Sequence, residues 1–338
     1  MQLSCSNQLI KLNFMKSEIT QEQISFYNEN GYVIIEDFLS AEELETWRSS
    51  VTEALVERNG QKMPGKSITI GEDDGINKDA DYFNNVFDQL LNLWQTNEKV
   101  KQLMLDERIG KMAADLSGAD GIRIWHDQAL IKKPWANPTS WHLDTPFWSF
   151  SDRRALSILV ALDDATLENG CLFFIPGTHK ETTFENPGIG KNMGAIFNYY
   201  PEFKKNKSVA ATMKAGSCSF HNGLTIHGAH ANMTPGFRRA MTCAYMPDGN
   251  TFNGEPNILP EEYLAKLKVG DLLNDNEQNP LIYKIVTPEL DYKKLVKLIK
   301  QITHPYLRTE HNGKIFNPLS RVELGTLQLA DTLDRGVY

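Results

Sequence analysis

Along the chain, the pattern of apolar and polar positions falls into three parts. Near the amino end it has the signature of helices. Thr20 opens a short helix over residues 20–28 that Asn30-Gly31 ends, and Ser40-Ala41-Glu42-Glu43 has the form of a capping box opening a helix that runs to about Arg58. Between them, residues 32–36 (YVIIE) are β-branched and aromatic, the composition of a strand. Residues 60–80 are rich in Gly, Asp and Lys and read as a loop. Residues 82–116 read as mostly helical, with an interruption near Asp106.

From Gly121 the pattern turns to β. Residues 122–132 form a strand candidate, followed by a loop at 134–139 and a short strand over 141–148. Residues 155–162 alternate, with Leu156, Ile158, Val160 and Leu162 on one face. A short apolar strand at 171–175 stops at Pro176-Gly177, and strands over 213–220, 225–231 and 237–245 complete the run. Many short strands separated by turn residues signal a sandwich or barrel, not alternating βαβ units. After Pro247 helical spacing returns at 260–268 and 290–302, the second with Leu295, Leu298, Ile299 and Ile302 on one face. The expected fold is α+β in a single domain over 1–338. A mainly β core spans about 120–248, a helical part covers 18–118 and a helical extension covers 249–338.

Composition narrows the function. The 338 residues are 41% hydrophobic and 23% charged, values of an ordinary globular protein. A net charge of -8 argues against nucleic-acid or anionic-membrane binding and leaves a small-molecule partner. Cys5, Cys171, Cys218 and Cys243 include no C-x-x-C pair and read as buried thiols in a reducing compartment. Residues 1–15 lack a basic region followed by a long apolar core, and no stretch is long enough to span a bilayer. The expected location is cytoplasmic. Nothing in the sequence fixes an oligomeric state.

The candidate chemistry starts at Trp141-His142-Leu143-Asp144. On a strand, His142 and Asp144 project to one side, giving two-thirds of a 2-His-1-carboxylate facial triad, a ligand set suited to non-heme Fe(II). The stretch 220–230 offers three histidines, His221, His227 and His230. A hairpin folded about Asn232-Met233-Thr234-Pro235-Gly236 sets Arg238 nearly opposite His227, and a guanidinium beside a metal suits an anionic cosubstrate. His227 is therefore the expected third ligand, with His221 and His230 as neighbours or as supporting partners of the ligands. Alternation sends Arg239 to the opposite face as a solvated charge. The aromatics Trp141, Phe147, Trp148 and Phe150 read as core or lid packing, with a direct substrate role considered for Trp148.

Three stretches in order carry a family resemblance: His142-x-Asp144, Asn169-Gly170-Cys171-Leu172-x3-Pro176-Gly177-Thr178-His179-Lys180, and His227-Gly228-x3-Asn232-x-Thr234-x3-Arg238. Over residues 24–247 the chain resembles the phytanoyl-CoA dioxygenase family, Fe(II)- and 2-oxoglutarate-dependent oxygenases on a double-stranded β-helix. The resemblance implies metal ligands at His142, Asp144 and His227, and Arg238 on the distal carboxylate of 2-oxoglutarate. It also implies a cosubstrate contact at Gln128. The expected activity uses O2 to hydroxylate or otherwise oxidise a C–H bond of a small molecule, releasing succinate and CO2.

Two positions depart from the family pattern. Ala229 stands where a serine often contacts the cosubstrate, with Thr234 as a candidate replacement, and Leu159 stands where tryptophan is frequent. Asp144 is intact, which disfavours halogenation. Two rival readings remain at this stage: a metal-binding β-helix protein without oxygenase turnover, and a cupin-like isomerase or hydrolase. Substrate selection is expected to lie in residues 60–80, 182–207 and beyond Asp248.

Overall fold

The structure, a computed structural model, describes residues 15–64, 82 and 84–285, with the backbone of two short strands further on. The amino-terminal helices form where their caps predict. In α1 (Gln21–Asn30) and α2 (Ala41–Arg58), Thr20 with Gln23 and Ser40 with Glu43 close reciprocal capping boxes. Gly31 ends α1 at φ 79°, and a Cβ there would lie 2.3 Å from Thr225 Oγ1, so both conformation and space demand glycine. Strand β1 (Tyr32–Ile35) follows it.

The stretch expected to be mostly helical opens instead with strand β2 (Asp88–Leu91) before α3 (Glu98–Met104) and α4 (Glu107–Ser117). Here pairing along residues 128–131 outweighs the weak local preference of Asp-Gln-Leu-Leu. Asp106, at the expected interruption, caps α4 by accepting from Arg108 N.

The β region supplies β3 (Gly121–Lys132), β4 (Thr139–His142), β5 (Leu156–Ala161), β6 (Leu172–Phe174), β7 (Val209–Ala211), β8 (Cys218–Asn222), β9 (His227–Ala229) and β10 (Arg238–Pro247). The helix expected at 260–268 is a single turn, α5 (Glu261–Leu264), and β11 (Leu281–Lys284) follows it. All pairings are antiparallel. One sheet runs β1-β8-β5-β10-β3-β11, with β2 also on β3, and the other runs β4-β9-β6-β7. Two such sheets enclosing one cavity make the double-stranded β-helix.

Alternation along the large sheet decides what each face does. Leu156, Ile158 and Val160 of β5, with Met241, Cys243 and Tyr245 of β10, point outward. They join Trp47 and Val51 of α2 and Ile109, Met112 and Ala113 of α4 in the main core. The intervening Ser157, Leu159, Arg238 and Thr242 face the cavity with His126, Gln128 and Leu130 of β3.

The expected hairpin between residues 225–231 and 237–245 does not form. β9 pairs with β4 and β6, whereas β10 pairs with β3 and β5, because the chain crosses from one sheet to the other between them. Strands β12 (Thr309–His311) and β13 (Lys314–Phe316) pair within a separate unit, Ile285–Tyr338. The helix expected at 290–302, Cys5 and residues 65–81 of the expected loop lie outside the described residues.

Candidate active site

The H-x-D pair does not sit on one strand. β4 ends at His142, and Asp144 lies two residues on, at φ -85° and ψ -52°, where the chain enters a 3-10 turn over Thr145–Phe147. Asp144 N and Thr145 N both donate to Gly223 O, at 2.8 and 3.1 Å, which pins the turn. His227 lies directly across from His142 in the β4–β9 register. Strand pairing and turn together bring His142 Nε2 to 3.5 Å and His227 Nε2 to 3.7 Å from Asp144 Oδ1. One ligand atom from each of the three side chains falls within 4.8 Å of the others.

Hydrogen bonds prepare these groups for a cation. His142 Nδ1 pairs with Ser140 O at 2.7 Å and His227 Nδ1 with Thr225 O at 3.0 Å. A carbonyl only accepts, so each Nδ1 carries the proton and each Nε2 presents its lone pair. Burial holds His227 down to about 3, keeping it neutral. Burial also pushes the Asp144 carboxyl upward, but the His227, His142 and His221 imidazoles outweigh it and leave Asp144 well below the usual carboxylate range.

His221, which the sequence marked as a neighbour or supporting partner of the ligands, holds the other carboxylate oxygen. Its Nε2 is 3.1 Å from Asp144 Oδ2, and Ser157 Oγ donates to the same oxygen at 3.3 Å. Oδ1 is thereby left facing the two imidazoles. A two-imidazole, one-carboxylate set with a fixed single oxygen fits iron(II) and leaves coordination positions open. His230 takes no part in this cluster and lies against Phe173.

The cavity beyond, about 450 Å³, reaches Arg238, which is buried and points inward from the first residue of β10. Arg238 Nη2 donates to Gly170 O at 2.9 Å, while its Nε has no partner. Burial lowers the guanidinium to about 10, so it stays charged at neutral pH. Its cross-strand neighbour is Lys132, not His227. Alternation sends Arg239 outward as expected, but there it grips Asp163 at 2.7 and 2.8 Å.

Gln128 lines the cavity and bonds Gln89. Thr234 does not line it: its hydroxyl donates to Asn232 Oδ1 at 2.7 Å inside the 232–236 turn. Among the hydroxyl residues lining the cavity, Thr139 is the cross-strand partner of Ala229, while Thr242 donates to Gln128 O at 3.4 Å. Trp148 is buried and also lines the cavity, stacked on Phe150 and edge-on to His126. The stretch after β10 contributes Asn257 and Ile258, residues that no sequence motif marks.

Comparison with known proteins agrees with this architecture. Residues 27–240 match the phytanoyl-CoA dioxygenase (PhyH) family. The peroxisomal phytanoyl-CoA dioxygenase of Rattus norvegicus is 27% identical over 241 residues, covering 67% of this chain and 68% of that one. The non-heme alpha-ketoglutarate-dependent carbocyclase SnoK of nogalamycin biosynthesis is 26% identical with a TM-score of 0.64, covering 80% of this chain and 99% of its own. The epimerase SnoN, solved with Fe3+, alpha-ketoglutarate and nogalamycin RO, shares the fold at a TM-score of 0.60 and 24% identity, over 78% and 98% of the two chains. This chain belongs to the phytanoyl-CoA dioxygenase family of non-heme iron, 2-oxoglutarate-dependent oxygenases.

Proposed function

We propose that the protein uses iron(II), 2-oxoglutarate and O2 to hydroxylate, or otherwise oxidise, a C–H bond of a small molecule. His142, Asp144 and His227 hold the metal, and Arg238 anchors the far carboxylate of the cosubstrate. The observation that carries this reading is one cavity lined by an imidazole and carboxylate triad and by a buried guanidinium that has no ion partner among the described residues. The rival metal-binding or cupin-like readings need the first feature and not the second.

Bound at the triad, iron(II) supplies with 2-oxoglutarate and O2 the oxidising power for a C–H bond, with succinate and CO2 released. The protein's own residues supply geometry. His221 and Ser157 keep Asp144 from swinging both oxygens onto the metal. Arg238 fixes the diacid by a planar fork. Gln128 and Thr242 line the same cavity, and Thr139, across from Ala229, is the hydroxyl residue best placed to replace the absent serine.

Trp148, Phe147, Gln89, Asn257 and Ile258 face the remaining space, which suits a small molecule held by apolar walls and a few amides. The functional domain thus extends past the β core at least through Ile258. No helix among the described residues is long and apolar enough to cross a membrane. Cys171, Cys218 and Cys243 are free and buried, which supports a cytoplasmic setting.

Anaerobic titration of the Fe(II) protein with 2-oxoglutarate tests this reading. A weak visible metal-to-ligand charge-transfer band is expected with the native protein, and Arg238→Ala weakens diacid affinity by roughly 10²-fold or more. No band from the native protein, or an unchanged affinity in the variant, overturns it.

A further inference from the structure

Lys132 is the last residue of β3 and faces Arg238 across the β3–β10 pair. Its side chain is 0% exposed, an unusual place for an ammonium. Among the described residues the amine reaches only backbone carbonyls, Asn137 O at 2.7 Å and Val86 O at 3.4 Å. Gly170 lies between the two cations. Its carbonyl accepts from Arg238, and a Cβ on it would lie 2.6 Å from both Cδ and Cε of Lys132.

Among the described residues, the surrounding elements offer no compensating charge. On β2, Asp88 is taken by Lys133 at 2.7 Å. The 164–171 turn carries Glu168, exposed at the surface, and Cys171, whose thiol burial pushes up to about 11 and keeps neutral. His230 stands just past β9, and the Tyr82 hydroxyl donates to Pro138 O. Among the described residues, neither Lys132 nor Arg238 forms an ion pair with a carboxylate.

We propose that Lys132 is a second, buried cation in cosubstrate recognition, taking up a proton from solvent when the distal carboxylate of 2-oxoglutarate docks on Arg238. This rests on the reading of Arg238 as the cosubstrate anchor. Without the diacid, two buried positive charges face each other unneutralised. Arg238 cannot shed its proton at neutral pH, so the lysine does, as burial and Arg238 lower its amine to about 7. A docked carboxylate reverses that field, and the amine becomes an ammonium bonded to Asn137 O. No other bond changes. Lys132 does not line the cavity, so it acts through Arg238 and the local potential as a positioning residue.

The test follows the charge-transfer band of the anaerobic Fe(II) protein during 2-oxoglutarate titration from pH 6.5 to 8.5. Calorimetry in two buffers of different ionisation enthalpy counts the protons. Native affinity is expected to weaken about fivefold from pH 7 to 8, with close to one proton taken up per diacid at pH 8. Lys132→Met and Lys132→Gln bind more weakly at pH 7 and lose the slope, so their deficit against native protein narrows steadily toward pH 8.5. A purely structural lysine would shift affinity equally at every pH. Binding by native protein without proton uptake, a count that stands even if neither variant folds, overturns the proposal. So does an unchanged slope in the variants. Failure of native protein to bind 2-oxoglutarate at all is a different result, and it contradicts the cosubstrate reading itself.

Discussion

The two ends of the cavity are mirror images in charge. At one end a single carboxylate is held well below its usual range among imidazoles, of which burial keeps His227 neutral. At the other, a guanidinium and an amine are buried opposite each other with only carbonyls as partners. Uncompensated buried charge is destabilising, so each end is complete only with an ion of opposite sign. On the proposed reading the first end takes a divalent cation, and the second takes the far end of an anion that also reaches the first. A keto-diacid meets both demands.

Asp144→Ala breaks this comparison most severely. It removes the only anionic ligand while leaving the cationic end intact, so turnover falls by roughly 10³-fold or more and iron(II) affinity drops with it. Substrate-dependent succinate formation and a chelator competition measure the two losses. Full turnover in this variant would mean that the triad is assigned wrongly.

His221→Ala sharpens the comparison with a smaller effect. Asp144 keeps its hydrogen bond from Ser157 but loses the imidazole on Oδ2. Iron(II) affinity is expected to fall about 10- to 100-fold, with the fold unchanged by circular dichroism. An unaltered affinity would show that His221 merely fills space beside the carboxylate.

The cluster of His142, Asp144 and His227 was legible in the sequence because its three members lie in two short motifs. The path to it was only partly legible. Alternation on one strand suggested why His142 and Asp144 converge, whereas a turn starting at Asp144 brings them together. Arg238 was identified through a hairpin that does not exist; both it and His227 reach the cavity from different sheets. Crossing between sheets leaves no local signal in residues 230–237.

Other parts depend on contacts distant in sequence. β2 exists because β3 offers an edge for Asp-Gln-Leu-Leu, and that pairing brings Gln89 beside Gln128. Nothing in Ile131-Lys132-Lys133 marks the first lysine as buried and the second as paired with Asp88. Thr234 carried the right functional group for the gap at Ala229, but its turn uses that hydroxyl locally. Asn257 and Ile258 reach the cavity because the stretch after β10 packs with Trp148, Phe150 and Phe252 in a second core.

The central claim, that metal and diacid span the two ends of one cavity, is tested most directly by a crystal structure of the anaerobic Fe(II)–2-oxoglutarate complex. The account predicts a single metal about 2.0–2.2 Å from His142 Nε2, Asp144 Oδ1 and His227 Nε2, with the far carboxylate on the Arg238 guanidinium. A metal bound away from these atoms, or a diacid whose far carboxylate points toward Gln89 and Asn257, would contradict it.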